Sequence, residues 1–404
     1  MAMAVPPDLE SRTIMTSAMR TTIGLADSRW DAIVIGAGPA GAMAARELAR
    51  GGARVLLVEK QEFPREKVCG GCLNGHALGV LHSVGLGALP RLSGGASLGS
   101  FRLRVRGREF PLELPVGMAV SRDLFDAGLV GAAIEAGAGF LARTEARVES
   151  DAGATRRVRL GRGRDDRTVE ARVVLVAAGL GQTCLSAGSR LRVRIARGSR
   201  IGTGCFLEEV PHGYEAGTIH MAVGSAGYVG LVRLADGRLH VAGAIRPGAL
   251  HESGGPGAVA ETILSEAGFA PLPALRTAPW RGTARLTRRT HPIAETRVFL
   301  LGDAAGYVEP FTGEGIAWAL AAGLSIGPLA LRAIERWDPR LCVEWGRLHG
   351  RMVRRRQIAC RAAAALLGRP LLLHAAFEAF TRVPGLAWRF LNHLNAPASF
   401  LEAS

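Results

Sequence analysis

Residues 31–60 read DAIVIGAGPAGAMAARELARGGARVLLVEK, and this stretch decides the fold. Residues 32–35 form a short buried-strand run, and the glycine pattern Gly36-x-Gly38-x-x-Gly41 follows at once. Good helix formers then run from Ala40 to Arg50, Gly51-Gly52 ends them, and a second apolar strand at 55–58 closes on Glu59. Strand, glycine turn, helix, strand and acid together make a βαβ unit with a dinucleotide fingerprint. Gly36 permits the tight turn, Gly38 lets the backbone approach a pyrophosphate, and Gly41 lets the helix pack on the strand. The helix N-terminus offers free N–H groups and positive dipole to the phosphates. Glu59 is placed to accept hydrogen bonds from the adenosine ribose hydroxyls, and its charge disfavours a 2′-phosphate.

The choice between NAD and FAD falls on a distant segment, RVFLLGDAAGYVEPFTGEGIAWALAAG (297–323). Residues 298–301 read as a buried strand, Gly302-Asp303 ends it, and a loop broken by proline and glycine leads into a helix starting near Gly315. FAD needs such a second grip, because its ribityl chain and ring extend beyond the ADP half. Asp303 is placed for a ribityl hydroxyl. The loop 310–315 would turn backbone N–H groups and a helix N-terminus toward the flavin edge that becomes negative on reduction. Residues 315–331 carry no charge, close to the length of a membrane span. A helix buried between domains accounts better for Gly323, Gly327 and Pro328 and for a start that must face a cofactor. SRDLFDAGLVGAAIEAGAGF (121–140) reads as a helix leading to a strand, with Arg122 suited to neutralise a pyrophosphate, and 146–178 as a β-meander.

Two domains are the expectation for 404 residues. The formal charge is +15, and of the 50 basic residues only Lys60 and Lys67 are lysines. The arginines are spread without interleaved aromatics, which argues against nucleic acid and leaves anionic substrates or an anionic membrane surface open. Six scattered cysteines lack a second C-x-x-C or paired histidines, so no metal site is expected and a reducing cytoplasm is the expected setting. Residues 1–29 have no periodicity and read as a disordered extension.

In this order the pieces resemble the geranylgeranyl reductase branch of the FAD-dependent oxidoreductases, a fold class shared with flavin aromatic hydroxylases and halogenases. The resemblance covers residues 31–323 and rests on GAGPAG with Glu59, KVCGG, SRDLFD and GDAAG…PFTGEGI. It implies an α/β architecture: a Rossmann-type FAD-binding domain, a second antiparallel β-sheet substrate domain and a C-terminal helical region. It further implies FAD contacts at Ala40 and Glu59 on the ADP half, Arg122 on the pyrophosphate and Val148 at the adenine. Cys69 and Gly70 fall at the flavin loop, Asp303 on the ribityl side, and Gly315 and Ile316 at the pyrimidine edge. The stretch EKVCGGCLNG (66–75) then reads as a flavin-contacting loop, with a functional thiol at Cys69 or a Cys69–Cys72 redox pair as alternatives. The chain departs from its relatives in carrying Ala178-Gly179 and Gly306, and it lacks the tryptophan-rich halogenase motif and the Tyr-x-Trp-x-Phe-Pro stretch of lipid-saturating reductases.

Glycine-punctuated apolar/polar alternation at 202–206, 220–224, 227–234 and 238–245 predicts an antiparallel sheet flooring the substrate side. The expected division is 31–181 with 292–335 for FAD, 182–291 for substrate and 336–404 as a helical cap. Candidates for a catalytic group are Cys69, His220, Tyr228 and His291, with Glu309 nearby on the flavin loop. Three functions stand against one another. The first is reduction of a carbon–carbon double bond in an apolar, isoprenoid or polyketide-like molecule, with electrons from NAD(P)H or a reductase protein. The second is a monooxygenase or halogenase working through a flavin C4a-peroxide. The third is a non-catalytic carrier of a prenylated partner. The arginine-rich amphipathic C-terminal region caps the pocket or rests on a membrane peripherally.

Overall fold

The computed structural model describes residues 29–151, 153–161, 166–181, 183–186, 188–309 and 313–367. Most of the extension, Pro310–Thr312 of the flavin loop and the tail beyond 367 lie outside the described residues. Arg29, counted with the extension, already belongs to the first strand.

The chain opens with the expected βαβ unit, β1 (Arg29–Ile35), α1 (Pro39–Arg50) and β2 (Val55–Val58). Proline stands in the first turn of α1 and Gly51 ends it, the asymmetry that backbone sterics favour at helix ends. After β3 (Cys72–Asn74) come α2 (Gly75–Ser83), β4 (Ala96–Ser97), β5 (Ser100–Val105), β6 (Arg108–Glu113) and β7 (Gly117–Ala119). Then follow α3 (Arg122–Glu135), β8 (Gly139–Leu141) and the meander β9 (Ala146–Asp151), β10 (Arg156–Leu160) and β11 (Arg167–Val176). The second half holds β12 (Arg192–Ile195), β13 (Ile201–Leu207), β14 (Thr218–Gly224), β15 (Gly227–Arg233), β16 (Leu239–Ile245) and α4 (Pro256–Ala267). It ends with β17 (Arg281–Arg285), β18 (Arg288–His291), β19 (Ala294–Glu295), β20 (Val298–Leu300), β21 (Gly306–Tyr307), α5 (Glu314–Glu335) and α6 (Arg340–Leu367).

Strands β20, β11, β1, β2 and β8 lie parallel in one sheet, with β19 antiparallel at one edge and the meander folded off β11. Both faces of this sheet are covered, which is why β1 from Ala32 onward and all of β2 are continuous apolar runs. Ala32, Val34, Val55 and Leu57 face α1, α3 and α5, while Ile33, Ile35, Leu56 and Val58 face the meander side. Each of these larger side chains is essentially dry, worth about 1.5–3 kcal/mol in burial. Helix α5 is, among the described residues, the one helix long and apolar enough to cross a membrane, and most of its apolar window is buried inside the protein. It lies so close to α1 that a Cβ at Gly323 would stand 2.5 Å from the Ala40 carbonyl oxygen.

The second sheet runs β17-β13-β16-β15-β14-β5-β6. Two of its strands come from residues 100–113, which the sequence reading assigns to the cofactor half. The correction has a plain cause: β5 pairs in parallel with β14, and Phe101 and Leu103 bury against Met221, Val223 and Tyr228. Alternation in SFRLRV announces a half-buried strand but not a partner more than a hundred residues away. A small sheet, β12-β18-β21, joins the halves, and another, β3-β7-β4, carries the CGGC segment.

Candidate functional site

The glycine turn is built for close approach. Gly36 has φ +102°, and a Cβ there would meet the Ala177 oxygen at 2.4 Å; at Gly41 it would meet the Gly36 oxygen at 1.9 Å. Around Gly38, by contrast, the nearest neighbour is the flexible end of Arg65, 3.6 Å from the Cβ position. Helix α1 starts without a side-chain cap, so its first-turn N–H groups are free to face a ligand. Glu59 is buried and aimed, accepting from the Ala37 N–H at 3.0 Å and the Gln61 N–H at 3.1 Å.

Three cations converge beside this turn. Arg65 lies 3.7 Å from Glu59 and 3.3 Å from Asp126. Arg122 grips Asp126 with two hydrogen bonds of 2.8 and 2.7 Å and donates another to the Cys69 sulfur. Lys67 is enclosed among Asp303, Arg122, Arg65 and Asp126; burial pushes its amine down, with Asp303 pulling the other way. Burial works against the Asp126 charge, but Arg122 and Arg65 outweigh it and hold the carboxyl below the usual range. Burial likewise opposes the Arg122 charge, and Asp126 and Cys69 more than offset it, so the guanidinium is held charged. Lys67 thus bridges the two distant cofactor segments, since Asp303 follows β20 and Gly302 packs on Ala40. Arg65 and Lys67 are not among the sequence candidates for cofactor contact; their nearness to Glu59 in the chain is the one signal that pointed to them.

The CGG loop lies between this cluster and the second sheet. Gly71 has φ +63° and is wedged against the Val120 oxygen, whereas Gly70 faces open space, which leaves its backbone free to meet a flat ring. A Cβ at Gly313, the N-cap of α5, would stand 3.6 Å from the Cys72 Cβ, so loop and helix N-terminus lie close together, with Gly315 and Ile316 in the first turn of α5. Cys69 and Cys72 are both free thiols. Cys72 donates to the Gly70 oxygen at 3.2 Å, and burial, with Cys69 beside it, pushes its thiol up to about 12. Such a thiol is neutral and a poor nucleophile, which speaks against the redox pair.

Across the loop, the inner face of the second sheet presents Phe101, Leu103, Met221, Val223 and Leu286, with Tyr228 and Tyr307 in the same apolar cluster. Burial raises both phenols well above 10, Tyr228 further raised by Glu309 and Tyr307 by Asp303 and Cys69. Arg200 pairs with buried Glu309 and sits 5.8 Å over the Tyr228 ring; burial raises the Glu309 carboxyl, and Arg200 opposes that. His240, on β16, stacks on Phe206 at 4.5 Å, and its Nδ1 stands 3.1 Å from the Gly71 Cβ position without a hydrogen-bond partner. Burial, then Arg238 and Arg122, hold it neutral with a pKa of about 4. Tyr307 and His240 escaped sequence reading because only the folding of two sheets brings them to the loop.

Two sequence candidates fall elsewhere. His220 packs against Tyr214 and Phe269 on the α4 side of the sheet, away from the loop, with Glu215 at 3.6 Å. Strand alternation sends its neighbour Met221 inward and His220 out. His291 ends β18 opposite Arg192, exposed. Val148 has its side chain in the core and its N–H bound to the Cys184 oxygen, so it offers no free donor to an adenine. It borders a polar cleft of about 530 Å³ lined by Arg147, Glu149 and Arg157.

The donor set therefore fits FAD: a glycine cradle, an aimed carboxylate, three cations for a pyrophosphate, an acid at the ribityl position and an open glycine for the ring. Comparison with known proteins agrees. Residues 29–188 match the family model described as "FAD binding domain". The menaquinone reductase of Mycobacterium tuberculosis is 30% identical over 349 residues, covering 80% of this chain and 82% of that protein. Digeranylgeranylglycerophospholipid reductase 1 of Methanopyrus kandleri is 31% identical over 331 residues, covering 76% and 82%. Among solved structures, the flavin-dependent brominase Bmp2 superposes with a TM-score of 0.75 at 18% identity, covering 91% and 93%. A geranylgeranyl bacteriochlorophyll reductase-like protein of Thermoplasma acidophilum gives 0.69 at 22% identity, covering 85% and 88%. At those identities the structural likeness shows the fold.

Proposed function

Since the chain belongs to the geranylgeranyl reductase-like family of FAD-dependent oxidoreductases, we propose that it saturates a carbon–carbon double bond in an apolar, isoprenoid-like substrate. FAD reduced by an external donor supplies the hydride. The protein's part is to hold and shield the reacting atoms. The apolar inner face of the second sheet excludes water and gives a hydrocarbon chain a surface to lie on. One observation carries the reading: that face ends at Tyr228 and Tyr307, beside the CGG loop. Hydride addition to one alkene carbon leaves the other needing a proton, and a buried phenol with a raised pKa keeps its proton until that charge develops. Glu309 and Arg200 are the polar groups next behind Tyr228 and offer a path for its reprotonation. The names of the relatives above support an isoprenoid-bearing substrate, although the Tyr-x-Trp-x-Phe-Pro stretch is absent.

The test is anaerobic reduction with NADH, NADPH and dithionite, followed by mixing with isoprenoid quinones and geranylgeranylated lipids. Flavin reoxidation without oxygen, with a product heavier by two hydrogens, is expected. Reoxidation by oxygen alone, with oxygen or halide appearing in the product, would establish the monooxygenase or halogenase reading instead. Purified protein that is colourless and takes up no FAD would favour the carrier.

A further inference from the structure

Lys67 is the odd charge of the cation cluster. Four charged groups surround its amine, Asp303 and Asp126 against Arg122 and Arg65, and these balance one another. The acids are also engaged elsewhere. Asp126 accepts two hydrogen bonds from Arg122 and lies 3.3 Å from Arg65, while Asp303 acts on Arg288 as well. Among the described residues, no carboxylate oxygen comes within 4.0 Å of the Lys67 nitrogen and no hydrogen bond holds it. The amine stands where three stretches of chain converge. These are its own loop, Asp303 after β20, and the turn after β11, where a Cβ at Gly179 would lie 3.4 Å from the nitrogen. A lysine with a structural task alone has an acid beside it or its head in water. An enclosed ammonium without a partner is costly, and two guanidiniums beside it add to the cost. Only an incoming anion completes its charge balance.

We propose that Lys67 is a proton-coupled anchor for FAD, gaining a proton from solvent as the cofactor's pyrophosphate enters and returning it as the cofactor leaves. Oxidised FAD carries its negative charge on the pyrophosphate alone, and both phosphates are already ionised wherever a lysine titrates. The proton therefore comes from water and ends on the amine nitrogen. In the empty protein, burial favours the neutral amine, with Arg122 and Arg65 adding to it, while Asp303 and Asp126 oppose them. A dianion set among the three cations reverses that balance. Neither arginine can take this part, because a guanidinium keeps its proton in both states. By linkage, a group that binds more protons with FAD than without makes FAD bind less tightly as pH rises. That window opens below 10.5, where the amine of the empty protein begins to lose its proton. The inference needs only the cofactor, so its failure would leave the reductase reading untouched.

Titration calorimetry of FAD into the flavin-free full-length protein, in two buffers of unlike ionisation enthalpy, counts the protons taken up without any turnover. The wild-type chain should take up a fraction of one proton that grows between about pH 7 and 9.5, while Kd rises by up to about tenfold per pH unit. Lys67→Arg should show no uptake and a Kd that is flat over the same range, because its charge is fixed. Lys67→Gln should show none either, and bind FAD about ten- to a hundredfold more weakly near pH 7. Wild-type binding without proton uptake would overturn the proposal, and that measurement needs no variant to fold. So would uptake that persists in Lys67→Arg, or a Lys67→Gln protein that binds FAD as tightly as the parent.

Discussion

Gly41 and Gly70 belong to the same cofactor site but answer to different constraints. At Gly41 a methyl group would sit 1.9 Å from the Gly36 oxygen, so the α1–β1 junction must open to admit it. Gly41→Ala should lose about 2–4 kcal/mol and emerge with little bound FAD, read by melting temperature and flavin-to-protein ratio. At Gly70 nothing stands within 4 Å of a new Cβ. Gly70→Ala should therefore melt like the parent yet bind FAD more weakly, because the methyl takes space left for the ring. Equal melting losses in both would contradict the open face assigned to Gly70. Cys72, whose thiol burial pushes up to about 12, should be dispensable. Cys72→Ser is expected to keep turnover within about twofold, and titration of the oxidised parent should count all six cysteines as thiols. A Cys69–Cys72 disulfide formed during turnover would revive the relay.

At the level of elements, helices α5 and α6 meet at one buried ion pair. Glu314, fully buried in the first turn of α5, accepts from Asn74 Nδ2 and Arg356 Nη1, each at 3.1 Å. Burial raises its carboxyl from 4.5 to about 7, against the pull of Arg356. His76, next to Arg356, has both ring nitrogens buried without a hydrogen-bond partner and a pKa lowered to about 4, by burial first and then by Arg356. The signs differ. A native carboxyl with a raised pKa binds more protons than the unfolded chain between about 4.5 and 7, so its contribution is present below that window and is lost as pH rises through 7. A native histidine with a lowered pKa does the reverse, and its contribution is lost as pH falls from 6.5 toward 4. Glu314→Gln should thus remove only the first dependence. Relative to the parent it gains on the order of 2–3 kcal/mol between pH 5 and 8, measured by urea unfolding. Parallel pH curves for parent and variant would mean that Glu314 titrates normally. The same pair ties the last described helix, α6, to the first turn of α5.

On the scale of the whole molecule, the candidate FAD-binding residues lie within 36–70, at Arg122 and within 303–309 and 313–316, and the apolar face proposed for substrate lies on the other sheet. Binding FAD should therefore stabilise the entire chain as one unit, by about 2.7 kcal/mol at a hundred times Kd. Calorimetry should show a single transition that moves up with FAD; two transitions, one unmoved, would mean that the sheets unfold separately. Tyr228→Phe and Tyr307→Phe should leave dithionite reduction intact while slowing turnover, by about 10²–10⁴ for whichever phenol gives the proton. If neither slows it, the proton comes from another group. The βαβ unit closing on Glu59, the strand that leads to Asp303 and the cofactor were legible in the sequence, because phosphate cradling dictates residue types at fixed short spacings. The strands of the second sheet were legible too, through alternation and glycine turns. Which faces those strands turned was not. Only the folded chain sent His220 outward and Tyr307 inward and recruited residues 100–113 into the second sheet. Local chemistry is written in neighbouring residues, whereas pairing and facing depend on partners that the chain meets only after long loops have closed.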